Sequence, residues 1–195
     1  MTRLVEVEVE AEPADAPIIL PILTTDIRTY NSTAIGRDYT VNVILPLSYG
    51  MVSHSYPLLC ITDSDYMTIP AASIAVGLAL KQAAPEVITV GIGYGRSFEL
   101  SSVRREEDMA GGVQEAFLQF LQEELIPDIE ANYRTDPAAR TLMGTSLCGD
   151  FSLYSLFHAA DTFANIIASS PDAIDGLADE GAYAEITKRC LCGCL

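Results

Sequence analysis

Ser146 lies in the run Gly144-Thr145-Ser146-Leu147-Cys148-Gly149, where an apolar stretch that reads as a strand gives way to a compact run that reads as a helix. A serine hydroxyl at such a corner can attack a carbonyl carbon and carry an acyl group, provided the turn lifts it clear of the sheet. The positions two before and two after it must be small, because side chains there strike the neighbouring strand and helix. Gly144 meets the first need. Cys148 is small but brings a Cβ and a sulfur to the second, with Gly149 directly behind it. Taken as a short motif alone, Ser146 or Thr145 serves equally well as a helix N-cap. Its place between an apolar strand and a helix favours the nucleophile.

The elements around that corner alternate. "DYTVNVILP", residues 38–46, reads as a strand with Tyr39, Val41 and Val43 on one face, and "YPLLCITD", residues 56–63, as a buried parallel strand breaking into polar residues. "PAASIAVGLALKQAAP", residues 70–85, reads as a small-residue helix, and "EVITVGIGYG" as a further buried strand. Val113, Phe117, Phe120, Leu121 and Leu125 recur at helical spacing within residues 111–133, with Pro127 expected to kink the helix. "RTLMGT" and "FANIIASSP" complete the strands, and "LVEVEVE", residues 4–10, adds a half-exposed edge strand. Such alternation builds a mostly parallel sheet with helices on both faces, with chemistry gathered at the carboxyl ends of the strands. Three loops meet that condition: "TDSDYM", "GYGRSFE" and the turn at Ser146.

The 195 residues, 49% of them apolar, suit one domain with a sizeable core. A formal charge of −16 repels phosphate backbones and excludes nucleic acid as a partner. The N-terminus lacks a secretory apolar region and no stretch is long enough to span a membrane, so the expected location is cytoplasmic, with no membrane partner. Five cysteines, three of them within the last six residues, do not form a disulfide framework. Neither a cofactor nor a metal is called for; Cys190, Cys192 and Cys194 lack the second ligand pair of a thiolate site.

In order and spacing, "YPLLCITD", "VGIGYG", the segment from Gly111 to Phe157 and "IIASSP" resemble the putative-esterase family of α/β hydrolases, which includes the enterobactin-type trilactone esterases. The resemblance divides the chain into an N-terminal strand and loop (1–25), a family-like core (26–172) and a divergent tail (173–195). It implies an α/β-hydrolase fold lacking its last strands. It further implies that Ser146 is the nucleophile of an ester hydrolase acting on a small-molecule ester, with an oxyanion hole from the backbone of Leu147 and of Ser64 or Asp65. The family's usual G-H-S-L-G-G carries Thr145 and Cys148 here at its second and fifth places. "VRREEDMA" resembles the family's R-x-x-D stretch, with Arg105 as the residue that would bind an anionic or oxygen-rich ester; by composition alone it reads rather as a solvated loop of mixed charge.

The partners of the serine are missing from the chain. In such hydrolases an acid and then a histidine follow the nucleophile. His158 is the single histidine after Ser146; it lies twelve residues on, about 18 Å down the outgoing helix, and points away from the strand ends. His54 precedes its strand and belongs at the opposite end of the sheet. The expectation is a truncated copy, impaired in turnover, whose exposed sheet edge invites self-association. A non-catalytic ligand-binding module and an inert fragment are the alternatives.

Overall fold

The computed structural model describes residues 24–95, 98–110 and 113–171. The strand read at residues 4–10 and the cysteine-bearing tail lie outside them. Six strands form one sheet: β1 (Thr24–Ser32), β2 (Arg37–Leu45), β3 (Tyr56–Ile61), β4 (Ile88–Gly93), β5 (Thr135–Thr145) and β6 (Asn165–Ser169). Their spatial order is β1-β2-β4-β3-β5-β6. The β1–β2 and β2–β4 pairs are antiparallel, and β4–β3, β3–β5 and β5–β6 are parallel.

Register decides which helix covers which face. Val43, Val90, Cys60 and Leu142 line up across the sheet, as do Gly91, Ile61 and Met143 on the reverse face. The second face receives α1 (Ser64–Leu80), which approaches so closely that a Cβ at Gly91 would lie 1.9 Å from Thr68 Oγ1. The first face receives the aromatic core. Tyr39 stacks on Phe120 at 4.8 Å, and Phe117 meets Phe151 edge to face at 5.1 Å. Covering that core are α2 (Phe98–Ala110), α3 (Gln114–Gln119), α4 (Ile126–Asn132) and α5 (Leu147–His158).

The long helix expected over residues 111–133 is interrupted as its proline requires. Between α3 and α4 the chain makes a π turn, Phe120–Leu125, and Pro127 enters the first turn of the restarted helix. Pro127 has no N–H to close an ordinary α-helical bond, so the preceding turn widens. Phe117, Phe120, Leu121 and Leu125 are buried, as their spacing foretold.

Two expectations on α1 and α2 need correction. The helix read from Pro70 begins at Ser64, so "SDYM" is the first turn of α1 and not a loop, and Pro70 lies inside it. "VRREEDMA" is the second half of α2 and not a solvated loop; Asp108 and Met109 are fully buried. Strand β1 was not legible as a strand at all.

Candidate active site

Ser146 joins β5 to α5 with φ 55° and ψ −125°. A residue with a Cβ avoids this region, and it persists only where its surroundings enforce it. Gly144 makes the turn possible: a Cβ there would lie 2.0 Å from the carbonyl oxygen of Cys148. Hydrogen bonds then fix the corner. Ser146 N–H donates to the Ser169 carbonyl of β6 at 2.8 Å, and Gly149 and Asp150 N–H donate to the Ser146 carbonyl at 2.6 and 3.1 Å. Ser146 itself is half-buried.

Cys148, in the place where the family has glycine, turns inward and is fully buried. Its Sγ donates to the Thr62 carbonyl at 3.5 Å and lies 3.5 Å from Tyr94 Oη. Burial, followed by the nearby Asp63 charge, pushes its thiol up to about 12. It is therefore a neutral space-filling group near neutral pH and no rival nucleophile.

The loop expected to complete the site arrives as a second helix N-terminus. In α1, Tyr66 and Met67 N–H turn back to the Asp63 carbonyl at 3.3 and 2.8 Å. The N–H groups of Ser64 and Asp65, like that of Leu147 in α5, fall in the first helical turn, before the helix's own bonding pattern begins. Asp63 brings the two termini together, because its Oδ2 accepts from Thr145 N–H at 3.0 Å. Side chains point elsewhere: Ser64 Oγ accepts from Asn42 and Thr68 beneath the helix, and the Asp65 carboxylate accepts from Ser101 Oγ. Any contribution of Ser64 and Asp65 to an oxyanion hole is thus a backbone one.

Arg105, assigned from the sequence to the substrate, lies beside the turn but faces protein acceptors. Its Nε donates to Asp63 Oδ1 at 2.6 Å and its Nη2 to the Thr145 carbonyl at 2.9 Å. Burial opposes its charge, but the hydrogen bond to Asp63 and the charges around it together outweigh that cost, so its pKa is raised and the guanidinium stays protonated. Asp108, the other fixed position of that stretch, accepts from Tyr39 Oη at 2.6 Å and lies 3.0 Å from Arg37 Nη1. Asp63 was missed as a site residue; its one signal is a carboxylate terminating an apolar strand.

Both histidines of the chain are remote from Ser146. His158 ends α5, exposed, with its ring stacked on Tyr154 at 3.9 Å. His54 is exposed and packs on Tyr56, the first residue of β3, whereas Asp63 follows the last. Among the described residues no group of three or more His, Cys, Asp or Glu could hold a metal ion, and no helix is long and apolar enough to cross a membrane.

A serine of positive φ thus stands between a parallel strand and a helix, flanked by a second helix N-terminus. The family described as "Putative esterase" matches residues 32–178. The chain belongs to the putative-esterase family. It is 28% identical over 172 residues to the ferri-bacillibactin esterase BesA of Bacillus subtilis (strain 168), a match covering 75% of this chain and 58% of that one. The crystal structure of the BES protein from Bacillus cereus superposes with a TM-score of 0.72 at 23% identity, over 88% of this chain and 73% of that chain. The siderophore hydrolase EstB from Aspergillus nidulans gives 0.69 at 23%, over 86% and 62%. These structural likenesses establish the α/β-hydrolase fold, of which the described residues carry six strands.

Proposed function

We propose that the chain is a serine carboxylic-ester hydrolase domain working through an acyl-enzyme on Ser146. The observation that carries the reading is the left-handed backbone of that serine at the junction of β5 and α5. In the reaction Ser146 Oγ adds to the ester carbonyl, the alcohol leaves with a proton, and water releases the acid from the acyl-serine. The developing oxyanion would meet the N–H of Leu147 and that of Ser64 or Asp65, at two helix ends whose dipoles favour negative charge.

With no histidine of this chain beside Ser146, the attacking hydroxyl lacks its usual base, and turnover is impaired by several powers of ten. A siderophore-type ester is the substrate class suggested by the likeness to BesA. The same lack of a base favours one second reading, a module that holds such an ester without cleaving it.

The deciding experiment uses p-nitrophenyl acetate and a fluorophosphonate probe on the purified chain and on Ser146→Ala. Slow turnover and labelling that vanish in Ser146→Ala support the hydrolase. Ester binding with neither supports the module. Labelling that survives the substitution contradicts the assignment of Ser146.

A further inference from the structure

We propose that Arg105 is a positioning residue: together with Asp63 it clamps Thr145, the residue that precedes Ser146, and holds the nucleophile in its left-handed conformation. The proposal rests on the esterase reading of Ser146.

The strain at that residue has to be opposed by something. The peptide plane that follows it is fixed by the first turn of α5, through the bonds of the Ser146 carbonyl to Gly149 and Asp150, and the plane that precedes it is tied to β6 by the bond of Ser146 N–H to Ser169. Thr145, on the near side, is held by the ion pair. Asp63 takes the Thr145 N–H, and Arg105 takes the Thr145 carbonyl, which belongs to the same peptide plane as the Ser146 N–H. Rotation of that plane, the motion by which Ser146 would relax toward negative φ, breaks the bonds to Arg105 and to Ser169 together.

A guanidinium is the group this geometry needs. Two nitrogens on one rigid plane reach Asp63 Oδ1 and the Thr145 oxygen at once, at 2.6 and 2.9 Å; an ammonium is a single point and cannot hold the same fork. Charge matters as well. The Asp63 side chain is 1% exposed, next to the place where an oxyanion would form, and Arg105 is its ion-pair partner. Removing the cation would leave a carboxylate facing the developing negative charge. Arg105 thus acts on the reaction through the backbone of Thr145 and through Asp63.

Two measurements on the full chain test this, with wild type, Arg105→Met, Arg105→Lys and Asp63→Asn compared. The first is amide hydrogen exchange. Exchange at Thr145 and Ser146 is expected to quicken about tenfold or more in the variants, while Val90 and Leu142, deep in the sheet, change by less than about threefold. The second is fluorophosphonate labelling of Ser146, in which the first-order inactivation constant should fall about tenfold with little change in the probe's binding constant. Unchanged protection at residues 145 and 146 would overturn the proposal. Equal acceleration at all four amides would also overturn it, since the pair would then be a general stabiliser. If wild type is not labelled at all, the esterase reading fails and the exchange data alone decide the clamp. Where Arg105→Met does not fold, Arg105→Lys and Asp63→Asn carry the same comparison.

Discussion

At the scale of single residues, the corner is a problem of space solved by one hydrogen atom at Gly144. Replacing it by alanine would press a methyl group against the Cys148 carbonyl, 2.0 Å away, and against Ser152 Oγ, 2.8 Å away. Neither neighbour yields easily, because both belong to α5 and Ser152 is fully buried. Gly144→Ala is therefore expected to destabilise the protein by about 3 kcal/mol, at the upper end of overpacking costs, read as a lowered urea midpoint. A midpoint equal to wild type would mean that α5 sits further from β5 than described. Cys148 shows why the second small position is more forgiving. Its side chain turns into the space between Thr62 and Tyr94, and it is its carbonyl that faces Gly144.

At the scale of elements, the β1–β2 hairpin is tied to the helical layer by Glu124, whose carboxylate accepts from Thr33 N–H at 3.1 Å, Ala34 N–H at 2.9 Å and Thr33 Oγ1 at 2.6 Å. Partial burial pushes its pKa up, but these donors outweigh it and hold the carboxyl below its ordinary 4.5. A group with a lowered folded-state pKa stabilises the fold above its unfolded pKa, and that contribution disappears as pH falls through the folded value. The melting temperature of Glu124→Gln should accordingly lie below wild type at pH 7 and converge with it below about pH 4. A constant gap across that range would contradict the assignment. The same elements mark what the sequence could convey. The helix carrying Phe117, Phe120, Leu121 and Leu125 was legible because its buried face is apolar and periodic, and β3 and β4 because they are apolar throughout. Helix α2 was not, since the buried residues it presents include Ser101 and Asp108, which no hydrophobic pattern can reveal. Strand β1 pairs on one side only among the described residues and alternates half-buried Asp26, Arg28 and Tyr30 with exposed residues, so its inward face is held by polar contacts such as Arg28 to Asp26 and Tyr30 to Asp128. Within the site, Ser146 and Leu147 could be read from a local motif. Asp63 and Arg105, 42 positions apart in sequence, meet only through folding.

At the scale of the molecule, the sheet runs from β1 at one edge to β6 at the other, and among the described residues nothing pairs with the outer side of β6. That strand is short and carries Ile167 at 45% exposure. An unblocked edge with an exposed apolar side chain pairs readily with another chain, and lysine is the residue that natural edges use against this. Sedimentation velocity at tens of micromolar is expected to find oligomers of the chain and to find Ile167→Lys shifted toward monomer. Wild type running as a monomer at every concentration would set the idea aside; the charge of −16 is the force that would favour that outcome. β6 has one more bearing on the protein, through the bond from Ser146 N–H to the Ser169 carbonyl. During synthesis the serine leaves the ribosome well before the strand that anchors its amide. The nascent chain must therefore hold an unset corner until Ser169 emerges and docks, and only then is the amide of Ser146 tied in place.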